Sequence, residues 1–113
     1  MNDCIFCKII KKEIPSTVVY EDKNVYAFRD IHPQAKQHIL VVPKKHISSV
    51  METDTNSETL KQIFEAIKEI TKQEKIDSSG FRVTANNGPD AGQTVFHLHF
   101  HLFGGERLSD KMA

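Results

Sequence analysis

Three histidines recur at every second position in His97-Leu98-His99-Phe100-His101-Leu102-Phe103, with large apolar residues between and after them. Side chains on a β-strand point alternately to opposite faces, so this spacing puts the three imidazoles on one face and Leu98, Phe100 and Leu102 on the other. Such a strand has to lay one face on a core and line a polar surface with the other. The chain has six His in 113 residues, so three at strict period two are more than a histidine-rich accident. A shared metal ion is the first alternative. At ~3.3 Å per residue, His97 and His101 lie about 13 Å apart on a straight strand, so a neighbouring pair could share an ion but the whole set could not. Neutral imidazole is a competent nucleophile and proton carrier near pH 7, so at least one ring is assigned to covalent or acid–base chemistry.

The remaining segments give that strand its neighbours. Cys4 to about Lys12 carries Ile5, Phe6, Ile9 and Ile10 and is expected as a short helix ending before Pro15. Thr17-Val18-Val19-Tyr20 and Val25-Tyr26-Ala27-Phe28 are β-prone runs joined by a polar Glu21–Asn24 turn, and Gln37 to Val42 is a third strand closed by Pro43. Leu60, Ile63, Phe64, Ile67 and Ile70 fall at helical spacing, which predicts one long amphipathic helix over about 57–75, with Thr55 and Glu58 placed for a capping box. Phe81 to Ala85 and Val95 to Phe103 complete five strands. Three strands, a helix and two strands, with loops too short for parallel crossovers except through the helix, predict an antiparallel α+β sheet. The chain, 1–113, is of a size for one domain.

Composition narrows the partners. Lys+Arg and Asp+Glu are both 15, so no global field favours nucleic acid or an anionic membrane, and a small-molecule partner fits better. No apolar run approaches the ~20 residues of a membrane helix and no leader pattern opens the chain, so a cytoplasmic location is expected. The two cysteines, Cys4 and Cys7, form a CxxC too close to the N-terminus for a thioredoxin-like motif after a strand. They are half of a zinc site or plain structural cysteines. Between the last two strands, Asn86-Asn87-Gly88-Pro89-Asp90-Ala91-Gly92-Gln93-Thr94 reads on composition as ordinary turn punctuation. Its position immediately before the histidines makes it a candidate phosphate loop, where glycines let backbone N–H groups approach an anion.

The His97–Phe103 pattern resembles the signature of the histidine-triad (HIT) nucleotide-binding family. Phe28-Arg29-Asp30-Ile31-His32-Pro33-Gln34-Ala35, His38-Ile39-Leu40-Val41-Val42-Pro43-Lys44-Lys45-His46-Ile47-Ser48, Asn86-Asn87-Gly88 and Gly92-Gln93-Thr94 resemble its Hint branch, over about residues 4–105 in all. The resemblance implies a five-stranded antiparallel sheet with one long amphipathic helix and a short N-terminal helix, and a homodimer. It implies that His99 is the nucleophile on an α-phosphorus, that His101 contacts phosphate oxygens, that Gln93 and Thr94 bind phosphate and assist the leaving group, and that His38 supports the triad. Asp30 corresponds to the residue that grips the ribose hydroxyls, against the plainer reading of a turn carboxylate. Phe6, Ile9, Phe28 and Ile31 resemble walls of the nucleobase pocket, otherwise core, and Asn86 and Gly92 belong to the substrate loop. Arg29 stands where that pocket commonly has a histidine. His32 reads as surface, and Lys44 and Lys45 as a solvated pair that could steer phosphate.

The same resemblance supplies the other half of a zinc site, making Cys4, Cys7, His46 and His97 a closed structural Cys₂His₂ set, with no cofactor required for the chemistry. The implied function is hydrolysis at the α-phosphorus of AMP derivatives by a purine nucleoside phosphoramidase or adenylyl hydrolase. Alternatives are a dinucleoside polyphosphate hydrolase or phosphorylase, a nucleotide-binding regulatory module, and, more remotely, a metal-dependent three-histidine enzyme. Phe64, Ile67 and Phe81 are candidates for the dimer surface, with Gly104, Gly105 and the tail Glu106 to Ala113 near the other subunit's pocket.

Overall fold

In the computed structural model, which describes residues 3–54 and 58–112, five antiparallel strands form one sheet in the order β1-β2-β3-β5-β4. Chain order is α1 (Ile5–Ile10), β1 (Val18–Glu21), β2 (Val25–Arg29), β3 (Gln37–Pro43), α2 (Thr59–Gln73), β4 (Phe81–Thr84) and β5 (Phe100–Gly104). The α+β architecture expected from the alternating and helical patterns is therefore present.

Period-two alternation divides the sheet into two apolar faces. Val25, Ala27, Ile39, Val41, Leu98, Phe100 and Leu102 meet Ile63, Ala66, Ile67 and Ile70 of α2. Ile63, Ile67 and Ile70 are 0–2% exposed, each contributing roughly 1.5–3 kcal/mol of burial. On the opposite face Tyr26, Phe28, Leu40 and Val42 pack against Phe6 and Ile9 of α1. This second face also carries the histidines.

The predicted helix is shorter than 57–75. Glu58 occupies the position before its first turn, and its side chain makes no capping hydrogen bond, pairing instead with Lys61 at 3.8 Å. Thr55, the other half of the expected capping box, lies outside the described residues. The last strand departs more. Its ladder starts at Phe100, since β3 partners run only from Gln37–Gly104 to Val41–Phe100. Beyond that point Pro43 has no N–H to offer, and its carbonyl instead accepts from the His97 ring, while the Leu98 N–H donates to the Ile47 carbonyl at 2.6 Å. The alternation of side chains survives the loss of the ladder.

The tail folds on its own chain, with an Arg82 guanidinium donating to the Ser109 carbonyl at 2.9 Å and the Lys36 N–H to Glu106. Gly104 ends β5, buried where an added Cβ would lie 2.8 Å from Ile76 Cδ1. Ile67, a candidate for a shared surface, belongs to the chain's own core; Phe64 and Phe81 are exposed at 45% and 41%.

Candidate active site and metal centre

The three histidines line one face as their spacing required, and each ring has a different set of partners. His99 Nδ1 lies 2.7 Å from the His97 main-chain oxygen. A carbonyl can only accept, so Nδ1 carries the proton and Nε2 holds the free lone pair. The ring stands edge-on to Phe6 at 5.0 Å and beside His101 at 5.1 Å. Burial holds its pKa below the ordinary histidine value, so the lone pair is available at neutral pH.

His101 is set by a chain of hydrogen bonds that starts in the loop before β3. The Gln34 N–H donates to His38 Nδ1 at 3.0 Å, so the proton of neutral His38 sits on Nε2. That Nε2–H donates to His101 Nδ1 at 2.9 Å, with Asp30 Oδ2 a further 3.5 Å acceptor. His101 must then carry its own proton on Nε2. Desolvation, with the neighbouring His99 and His38, holds His101 down to about 4, and burial also lowers His38. Phe103, on the same face, stacks parallel to His101 at 5.8 Å and lies 4.3 Å from the His38 ring.

Among the described residues two clusters bring metal-ligating atoms together, and the proton positions separate them. In Asp30, His38 and His101 the ligand atoms lie within 4.8 Å of one another. There the Gln34 N–H occupies His38 Nδ1, so Nε2 is protonated and has no lone pair for an ion. In Cys4, Cys7, His46 and His97 the opposite holds. His97 Nε2 donates to the Pro43 carbonyl at 2.8 Å, which leaves Nδ1 unprotonated, 3.4 Å from Cys4 Sγ and 3.6 Å from Cys7 Sγ. His46 Nδ1 lies 3.3 Å from Cys7 Sγ. A tetrahedral zinc with Zn–S ~2.3 Å and Zn–N ~2.05 Å requires S···N edges of about 3.5 Å. The four residues fit the ion. They join α1 to the segment after β3 and the segment before β5, two segments also tied to each other by the Leu98–Ile47 and Gln93–Ser48 bonds.

Of the remaining expected residues, Phe6, Ile9 and Phe28 are 4–7% exposed and form the apolar floor beside His99, whereas Ile31 is 85% exposed. Asp30 Oδ1 accepts from the His32 N–H at 2.8 Å, an Asx turn, and Oδ2 faces His38. Arg29 is on the α2 face of the sheet, bonded to Glu74 at 2.7 Å and Gln37 at 2.6 Å. One step along a strand reverses the face, so Arg29 does not enter the pocket that Phe28 borders. Lys44 pairs with Glu21 at 2.8 Å, and His32 and Lys45 are exposed.

In the loop before the triad, Gly88 and Gly92 adopt positive φ of 87° and 80° around a short turn at Pro89–Ala91. The buried Gln93 amide holds it, accepting from the Gly88 N–H at 3.0 Å and donating to the Ser48 and Val95 carbonyls. Its polar atoms are thus engaged with the backbone. Thr94 is exposed, and half-buried Asn86 lines a cavity of about 390 Å³ with Gln34, Phe103 and Met112. Gln34, Pro43 and Phe103 did not emerge as site residues from sequence. Only Phe103 carried a signal, as the fourth position of the period-two face.

Comparison with known proteins gives a consistent result. Residues 11–108 match the HIT domain family. A 14 kDa zinc-binding protein of Zea mays is 47% identical over 93% of this chain and 84% of its own length. A histidine triad protein from Clostridium difficile superposes with a TM-score of 0.94 at 48% identity, over 98% of this chain and 97% of that one. A HIT family hydrolase from Clostridium thermocellum gives 0.95 at 45% identity, over 100% and 99%.

Proposed function

The chain belongs to the HIT domain family, and from that membership and the proton positions on its histidines we propose that it is a nucleotide hydrolase acting at the α-phosphorus of AMP derivatives, a purine nucleoside phosphoramidase or adenylyl hydrolase. The observation that carries the proposal is the 2.7 Å bond from His99 Nδ1 to the His97 carbonyl, which leaves Nε2 as a nucleophile. His99 Nε2 attacks phosphorus, the bond to the leaving group breaks, and the positive charge on the substituted ring is met by the carbonyl at Nδ1. His101 presents Nε2–H to a phosphate oxygen, where negative charge accumulates in the transition state. The Thr94 hydroxyl donates to the departing group, and Gln93 acts by shaping the loop. Water then displaces His99 and releases AMP. Asp30 Oδ2 accepts from the ribose, and Phe6, Ile9, Phe28 and Ile31 border the purine.

Zinc at Cys4, Cys7, His46 and His97 would be structural. All four positions are filled by protein atoms, so it supplies cross-linking and no open coordination site. The name of the maize relative supports this reading. A homodimer is also proposed: β4 is an edge strand, and Phe81 on it and Phe64 on α2 expose apolar surface. A clean monomer of 12.9 kDa in sedimentation, fully active, would refute it. The activity itself is tested by comparing kcat/KM for a fluorogenic AMP phosphoramidate with that for diadenosine polyphosphate. A preference for the second substrate would move the assignment to a dinucleoside polyphosphate hydrolase using the same His99.

A further inference from the structure

We propose that the Cys4, Cys7, His46 and His97 centre is a redox-sensitive clamp on the nucleophile: oxidation of its two thiols expels the metal, loosens His97 and slows the reaction at His99. This rests on the zinc and nucleophile assignments above and adds a regulation that neither contains.

His97 connects the two sites. Its ring is fully buried, with Nδ1 among the sulfurs and Nε2 on the Pro43 carbonyl, while its own main-chain oxygen receives the His99 Nδ1–H. Because the β3–β5 ladder begins only at Phe100, residues 97–99 do not have the ladder to hold that oxygen in place. What fixes it is the side-chain anchoring of His97 together with the bond from Leu98 N–H to Ile47. Loss of the metal removes the Nδ1 half of that side-chain anchoring, leaving the Pro43 and Ile47 bonds alone, and loosens the carbonyl that sets the His99 tautomer.

The thiols are placed to react. Cys4 caps α1 and Cys7 lies in its first turn, with the Cys7 N–H donating to Cys4 Sγ at 3.4 Å. Both side chains are partly exposed. A cavity of about 300 Å³, lined by Asp3, Thr94 and Phe96, reaches Cys4 and His46, giving a small oxidant and a departing ion a path. With hydrogen peroxide, one thiolate attacks an oxygen, the O–O bond breaks, and a sulfenic acid and hydroxide form. The second thiolate displaces hydroxide from that sulfur to close the disulfide. Two thiolates, one peroxide and two protons become one disulfide and two waters, and the zinc leaves for want of thiolate ligands.

The test uses the zinc-loaded full chain titrated with hydrogen peroxide. A chromophoric chelator counts released zinc, mass spectrometry counts disulfides, ¹H–¹⁵N spectra read the His99 ring tautomer, and circular dichroism follows the fold. The expected result is one zinc released per disulfide and conversion of His99 from a single Nδ1–H tautomer to a mixture. With it, kcat falls roughly three- to tenfold, the loss of one ordinary hydrogen bond, at a KM changed by less than ~twofold. Dithiothreitol with zinc restores all of these. Disulfide and zinc release with an unchanged His99 spectrum and kcat would overturn the clamp and leave the zinc assignment standing. A chain that takes up no zinc at all would overturn both, and one that unfolds on oxidation would show a global effect and overturn the clamp. Cys4→Ala with Cys7→Ala, which leaves the chain no thiol, should keep its His99 spectrum constant through the titration; a change there would place the oxidant's target elsewhere and overturn the clamp.

Discussion

Replacing His38 with Phe removes the middle member, and with it both bonds, of the hydrogen-bond chain that sets His101 while retaining a ring of similar shape between Phe103 and His101. His38 is 4% exposed, so the change leaves His101 Nδ1 without its 2.9 Å donor in a half-buried site. An orphaned acceptor of this kind costs about 1–2 kcal/mol once water recovers part of the loss. At ~2.1 cal/mol/K per residue, 113 residues give an unfolding entropy near ~0.24 kcal/mol/K, so Tm should fall by about 4–8 °C. If the lost bond biased the His101 tautomers by ~1 kcal/mol, their ratio shifts about fivefold and kcat falls by no more than about that factor. The titration of His101 gives a sharper reading. His38 is one of the groups that lower it, but desolvation is the larger cause. The variant's His101 should therefore protonate above the wild-type value of about 4 and still below an ordinary histidine. ¹H–¹⁵N correlation across a pH series reads this directly, and His38→Gln, which keeps an amide donor, should recover part of both effects. A wild-type His101 that titrates like a free histidine, or a variant with unchanged Tm and titration, would refute the tautomer chain.

His99→Ala should abolish turnover while AMP affinity stays within about tenfold, ~1.4 kcal/mol, because the apolar floor and Asp30 remain; calorimetry with AMP checks it. Activity should hold as pH falls through the ordinary histidine range and decline only below it, since burial favours neutral His99; a pH–rate profile whose acid limb sits above 6.5 would contradict this. For stability the sign is the same. The unfolded chain takes up a proton at His101 near 6.5 and the folded one only near 4, so stability is full above 6.5 and drops toward pH 4, by about 1–2 kcal/mol from this residue once solvent screening of the half-exposed ring is allowed for. Comparison of wild type with His101→Phe in urea melts at several pH values isolates that share. Purified protein should carry about one zinc per chain, and Cys4→Ala with Cys7→Ala should cost more free energy of unfolding, read from urea melts, than activation free energy, read from kcat, as expected of a closed structural site.

What the sequence makes legible in this fold and site is what local periodicity dictates. The alternation from His97 to Phe103 and the helical spacing of Ile63, Ile67 and Ile70 state which side chains share a face, whatever the chain pairs with. Long-range pairing is not written there. The ladder of β5 begins late because Pro43, 54 residues earlier, offers a carbonyl and no N–H, and only the register of β3 against β5 brings that carbonyl to the His97 ring. Position in the chain points Arg29 to the pocket that its neighbour Phe28 faces, whereas period two puts the two on opposite sides. Gln93 was legible as a loop residue and not as the residue whose amide is consumed in holding that loop. Proton positions on the histidines depend on partners such as the Gln34 N–H, a backbone group that no side-chain pattern announces.

The central claim is that His99 attacks phosphorus itself. Hydrolysis of an AMP phosphoramidate made chiral at phosphorus with sulfur and oxygen isotopes, run in isotopically labelled water, tests it without needing the intermediate to accumulate. Two in-line displacements, first by His99 and then by water, give net retention of configuration, which is the expected outcome. Net inversion would mean a single attack by water and would contradict a covalent role for His99.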